Sequence, residues 1–220
     1  MHVFDIIGPV MIGPSSSHTA GAARIGRMAR RLLGARPARV RLYLHGSFAR
    51  TYRGHGTDRA LIAGILDMPV DDVRLSDSLR LAREAGLDFS FEEIELKDAH
   101  PNTVRIEAEG EGGERLSMEA ASVRGGAIRV RRLNGLAVDF SGTQNTLVVS
   151  HHDQPGVISQ VTSLLAMQQV NIATMQVFRS RAGGDAVMVI EIDQAPARAA
   201  IDCLNMLNGV KDVTMLEKCD

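Results

Sequence analysis

The chain has no tryptophan, and aromatic residues fill only 4% of its 220 positions. Single-stranded nucleic acid is gripped on aromatic platforms, so such a surface is not expected. An excess of one charge is also lacking. The 25 Lys and Arg against 26 Asp and Glu leave a net charge of −1, which offers no basic footprint for nucleic acid. Long apolar runs are missing, and the opening Met1-His2-Val3-Phe4-Asp5 has no positive n-region. Neither a signal peptide nor a membrane span is expected. Cysteine is scarce. Cys203 and Cys219 cannot frame a disulfide scaffold, which fits a reducing cytoplasm. Two thiols also fall short of the roughly four that hold an iron–sulfur cluster. Cys203 lies on an apolar helical pattern and reads as core, while Cys219 adjoins the C-terminus.

What is present is a hydrophobic content of 45%, enough for a packed core in one large domain or two small ones. The most distinctive stretch is Gly13-Pro14-Ser15-Ser16-Ser17-His18-Thr19. It stands directly before a helical pattern with Ile25, Met28 and Leu32 inward, which Leu33-Gly34 should end. The helix is expected to start near Ser17. Its first N–H groups lack partners, and its dipole end is positive. Hydroxyls and amides converging there make a site for a carboxylate or phosphate. An imidazolium is disfavoured at that end, so His18 should be neutral and able to take a proton. The plainer reading is one serine cap in a polar loop.

Val40, Leu42 and Leu44 alternate with arginine and tyrosine, which reads as a half-buried strand ending in His45-Gly46-Ser47-Phe48. Next comes Gly54-His55-Gly56-Thr57-Asp58-Arg59, where Thr57 or Asp58 should cap an apolar helix from Ala60 to Leu66. Two histidine–glycine turns so close together suggest a site, although an exposed histidine at a capped helix start would look the same. A third helix is expected from Ser76, as its cap, to Gly86. Phe89 to Leu96 is strand-like. Asp98-Ala99-His100-Pro101-Asn102-Thr103 is a polar turn holding another histidine. Residues 104–108 and 116–120 read as a hairpin, followed by a strand at Ile128-Val130 and a tight turn at Asn134-Gly135. Helices followed by an antiparallel meander make an α+β pattern.

Ser141 to Asn145 reads as a linker, beyond which the order becomes strand, helix, strand, strand, helix, strand. That βαββαβ grammar is ferredoxin-like. The tail, 146–220, resembles an ACT domain through Thr146 to Ser150, Asp153-Gln154-Pro155-Gly156-Val157-Ile158 and Val170-Asn171-Ile172. The resemblance implies an amino-acid effector site at Asp153, Pro155, Gly156, Val157, Asn171 and Ile172, between paired modules, and hence a homodimer through the tail.

The first part, 1–143, is similar to the β domain of iron–sulfur-dependent L-serine dehydratase. The residues that carry this are the 13–19 stretch, His45-Gly46-Ser47, Gly54 to Ala60, and His100-Pro101-Asn102-Thr103. The resemblance implies conversion of L-serine to pyruvate and ammonia in the cytoplasm. It implies a fold like the allosteric substrate-binding domain of some phosphoglycerate dehydrogenases. It also implies a [4Fe–4S] cluster held by a partner α subunit, with no metal ligands here. His18 would then be the base. Ser15, Ser16, Ser17 and Thr19 would hold the substrate carboxylate, with His45, Gly46, Ser47, His55, Gly56, Thr57, Asp58, His100 and Asn102 as further substrate contacts. Two alternatives remain open on the sequence. One is a non-catalytic serine-sensing subunit. The other is a metal site of His18, His45, His55 and His100, which lacks the usual companion carboxylates or cysteines at defined spacing.

Overall fold

The computed structural model describes residues 15–218, so Gly13-Pro14, the apolar lead-in 3–12 and Cys219 lie outside the described residues. The chain divides into two compact units, Met1–Gly135 and Leu136–Asp220.

In the first unit Ser15 caps a wide π-type turn, Ser16–Ala20, by accepting the His18 N–H at 3.1 Å. The turn runs straight into helix α1 (Gly21–Leu33), which ends where Gly34 adopts φ 70°. Ile25, Met28, Ala29 and Leu33 face the core. Leu32, expected inside, is only half-buried, because Leu33 takes the inner place.

Strand β1 (Pro37–His45) alternates as its sequence requires. The segment after it was expected to be a turn but is helix α2 (Gly46–His55). Gly46 turns the chain at φ 58°, and a side chain there would run into Pro101. The Ser47 N–H donates to the Pro101 carbonyl at 2.7 Å. A distant backbone carbonyl thus satisfies the helix start, which no local cap residue announces.

Helix α3 (Thr57–Ile65) follows from Gly56 at φ 70°. Neither Thr57 nor Asp58 is its cap: Thr57 is buried, and the Asp58 carboxylate accepts the Arg59 N–H at 2.8 Å. Nor is Ser76 a cap. Asp72 caps a 3₁₀ turn, Val73–Asp77, that leads into the short helix α4 (Ser78–Glu84).

The strands β2 (Asp88–Ile94), β3 (Thr103–Gly110), β4 (Arg115–Ser122) and β5 (Ile128–Leu133) join β1 in the order β2-β1-β3-β4-β5. β2 is parallel to β1, because three helices carry the chain back between them. The remaining pairs are antiparallel. One face of the sheet buries Val40, Leu42, Leu44, Ile106, Met118 and Val130. The other carries exposed ion pairs such as Arg39–Asp88 and Arg41–Asp88, each worth little on its own.

Helices α1 and α3 cross with their backbones nearly in contact. A Cβ on Gly26 would lie 2.2 Å from the Leu61 carbonyl, and one on Gly64 would lie 2.0 Å from that of Ala23. This close crossing brings the start of α3 beside the Ser16–Ala20 turn.

The second unit begins with β6 (Leu136–Phe140). It continues with β7 (Asn145–His152), α5 (Val157–Met167), β8 (Ile172–Arg179), β9 (Asp185–Ile192), α6 (Arg198–Asn205) and β10 (Val210–Leu216). The four later strands form an antiparallel sheet, β10-β7-β9-β8. Leu147, Val149, Met188 and Ile190 of the sheet pack with Val161 and Leu165 of α5 and Leu204 of α6. Cys203, expected in this core, is exposed. Ala200, Ile201 and Leu204 take the buried face of α6 and leave Cys203 on the outer one. No helix among the described residues is long and apolar enough to cross a membrane.

Candidate functional site

The His18 ring sits at the meeting point of three segments. Its own turn supplies Ser15, whose hydroxyl shares a hydrogen bond with Nδ1 at 3.3 Å. The start of α2 supplies Ser47, whose Oγ is 3.0 Å from Nε2. The end of α2 supplies His55, whose ring stands edge-on at a centroid distance of 4.9 Å. Phe48 closes the set, also edge-on, at 5.5 Å. Thus Ser15, His18, Ser47 and His55, spread over some forty residues of sequence, form one cluster.

Burial holds the His18 imidazole below the usual histidine value of 6.5, and the neighbouring charge of His55 pushes the same way. The sequence reading expected a neutral ring because of the helix dipole. Here the neutral form follows first from desolvation. Burial raises the Asp58 carboxyl in turn, against the Arg59 amide that lowers it.

The other candidates are distributed unevenly. Ser16 and Ser17 are half-buried in the first turn, where helix geometry leaves amides without carbonyl partners. Thr19 and Thr57 are 2% and 0% exposed, and neither hydroxyl has a partner. A buried hydroxyl without a partner is costly, which marks this corner as polar beyond what the fold requires. Asn102 gives its carbonyl to the Ser122 N–H at 2.9 Å. His100 is exposed, and its Nδ1 accepts the Asn102 N–H at 3.1 Å. That loop supports the cluster from beneath through Pro101, Gly46 and Ser47. His45 points elsewhere in function: its Nδ1 accepts the Leu96 N–H at 3.2 Å and so ties the end of β1 to the chain after β2. Two grooves on the outer, charged face of the sheet are lined by residues such as Arg41, Arg105, Glu107 and Ser117, and by none of the His18 cluster.

Sequence reasoning missed Phe48, and it missed the Ser122 to Gly126 segment. A Cβ on Gly21 would lie 1.9 Å from Ser122 Oγ, and one on Gly126 would lie 2.7 Å from the Ser16 carbonyl. Arg24 donates to the Gly126 carbonyl at 2.9 Å. This segment holds the π-type turn in place from behind. The Gly125-Gly126 pair was the available signal, and it reads equally well as an ordinary turn.

In the second unit the Asp153 carboxylate accepts from the Gly183 N–H at 3.0 Å and from Arg179 at 2.8 Å. The Gly183 amide first, and then Arg179, hold its carboxyl below the usual value. Asn171 donates to Asp193 at 2.6 Å. Gly156 turns at φ 92°, Pro155 is exposed, Val157 is buried under the turn, and Ile172 packs against the core.

Comparison with known proteins identifies both units. A family described as serine dehydratase beta chain matches residues 2–132, and the ACT domain family matches residues 145–207. The chain is 44% identical over 214 residues to a probable L-serine dehydratase, beta chain, of Bacillus subtilis (strain 168), covering 97% of each chain. It is 41% identical over 192 residues to the L-serine dehydratase, beta chain, of Peptoniphilus asaccharolyticus, covering 87% of this chain and 86% of that one. D-3-phosphoglycerate dehydrogenase of Bacillus subtilis (strain 168) is 28% identical over 174 residues, covering 79% of this chain and 33% of that protein.

Proposed function

The chain belongs to the serine dehydratase beta chain family, and from that premise we propose that it completes the active site of an L-serine dehydratase as its β subunit. The reaction is loss of water from L-serine, giving pyruvate and ammonia. It requires removal of the α-proton and departure of the hydroxyl group. The observation that carries the reading is a neutral His18 held between two serine hydroxyls at the start of a helical segment. Its low proton affinity at rest leaves a lone pair ready for the α-proton at physiological pH. The hydroxyls of Ser15, Ser16 and Ser17 and the amides of the same turn are suited to the substrate carboxylate. Thr19 and Thr57 offer the inner hydroxyls. We propose Gly56, Asp58 and Asn102 as further substrate contacts.

The described residues of this chain do not fit an iron–sulfur cluster. Cys203 is exposed on α6, and no three His, Cys, Asp or Glu side chains among the described residues converge on one point. We propose that a [4Fe–4S] group for this reaction is held by a partner α subunit, where it would supply Lewis acidity toward the departing hydroxyl. The scarcity of cysteine fits a cytoplasmic enzyme. For the second unit we propose an amino-acid effector site at the Asp153 to Val157 turn and Asn171-Ile172, with two such units pairing through exposed sheet edges.

The deciding experiment is anaerobic reconstitution with an α chain, followed by a pyruvate assay on L-serine. The purified β chain is expected to be colourless and inactive, and the complex to turn over. Stoichiometric iron and sulfide in the isolated chain, or an α chain fully active without it, would overturn the proposal.

A further inference from the structure

Both ring nitrogens of His18 are occupied, and this bears on how it acts as a base. Nδ1 faces Ser15 of its own turn at 3.3 Å, and Nε2 faces Ser47 at 3.0 Å. The Ser15 hydroxyl already accepts the His18 backbone N–H at 3.1 Å. Its own proton is therefore free to point at the Nδ1 lone pair. Ser47 is anchored through its backbone. Its N–H is tied to the Pro101 carbonyl at 2.7 Å, and its carbonyl accepts the Thr51 hydroxyl at 2.8 Å. A side chain on Gly46 would collide with Pro101, so the loop fixes the helix start in place.

We propose that Ser47 is a positioning residue: it accepts the Nε2–H of His18, fixes that tautomer, and leaves Nδ1 as the nitrogen that takes the α-proton. The inference rests on the serine dehydratase reading above. Its logic is that of any histidine base whose second nitrogen is held by a hydrogen bond. Proton balance is simple. The proton moves from the substrate α-carbon to Nδ1 while the C–H electron pair forms the Cα–Cβ double bond and the β-hydroxyl leaves as hydroxide; Nε2 keeps its own proton, and the imidazolium so formed donates to Ser47 Oγ. The Ser15 hydroxyl, bonded across the looser distance, turns aside to admit the substrate.

Two measurements test this. In the free β chain, long-range proton–nitrogen correlation should show His18 as a single neutral tautomer protonated at Nε2. Ser47→Ala should average the two nitrogens, and Ser47→Thr should restore the difference. In the reconstituted complex, Ser47→Ala should lower kcat about tenfold with KM little changed, and Ser47→Thr should recover most of the loss. An Nδ1-protonated ring in the parent chain overturns the proposal. So does a Ser47→Ala variant that raises KM at full kcat, because the hydroxyl would then be holding substrate. The spectroscopic arm needs no turnover, so an inactive parent complex would count against the dehydratase reading and not against the Ser47 contact.

Discussion

The two units differ in how the groups of their polar turns are paired. In the second unit, Asp153 and Asn171 are each bonded to a neighbouring group of the same fold, although the buried His151 Nε2 nearby has no partner. In the first, Thr19 and Thr57 keep buried hydroxyls without partners beside a histidine whose charged form is suppressed. A turn whose groups satisfy one another is stable as it stands, and a ligand there must compete with existing bonds. A corner with unmet hydrogen-bonding groups is held by packing elsewhere and gains from a ligand that meets them.

The largest expected effect tests the reacting side. His18→Ala should reduce kcat of the reconstituted complex by about 10²–10⁴-fold, the usual contribution of a general base. Thermal unfolding should stay near that of the parent. The pH profile sharpens the point. A base must be neutral, and burial holds the His18 value below 6.5, so kcat/KM should fall on the acid side with its midpoint below that of an ordinary histidine. The stability linkage has the same sign: the unfolded chain binds the proton more readily, so the folded state loses stability as pH falls below 6.5. A variant retaining more than half the parent rate would remove His18 from the chemistry.

A middle effect tests what holds the corner together. Gly64→Ala places a methyl group 2.0 Å from the Ala23 carbonyl, so α1 and α3 must separate. Overpacking of this kind costs about 1–3 kcal/mol. A lower Tm with loss of turnover is expected, even though Gly64 touches none of the His18 cluster. An unchanged Tm would show that the close crossing is not needed.

The smallest effect tests the tail. Asn171→Ala removes the bond to Asp193 and a proposed effector contact, so serine binding at the tail should weaken while kcat at saturating serine stays the same. A fall in kcat would break the division of labour between the two units. Equilibrium dialysis beside steady-state kinetics separates these outcomes.

Much of this was legible in the residues. The alternation of Val40, Leu42 and Leu44 marked β1, and the order after Asn145 marked β7, α5, β8, β9, α6 and β10, because period-two and period-3.6 patterns report burial directly. The Ser15 to Thr19 stretch marked itself as a polar helix start. Helix α2 was not legible. The Ser47 amide in its first turn is met by Pro101, more than fifty residues away. The parallel pairing of β1 and β2 was hidden for a related reason, since register between distant strands leaves no local mark.

The sequence by itself determined most of the elements and most of the faces they bury, and that a histidine among serines begins the first helix. Those properties depend on neighbours a few residues apart, where side-chain size, polarity and backbone freedom decide the outcome. Only the tertiary structure decided that Ser47 and His55 meet His18, and that His45 instead ties down the chain after β2. The bare crossing of α1 on α3 at Gly26 and Gly64, and the Pro101 loop beneath Gly46, set those positions. Contacts between residues far apart in the chain are chosen by how whole elements pack, and that packing is a property of the assembled fold.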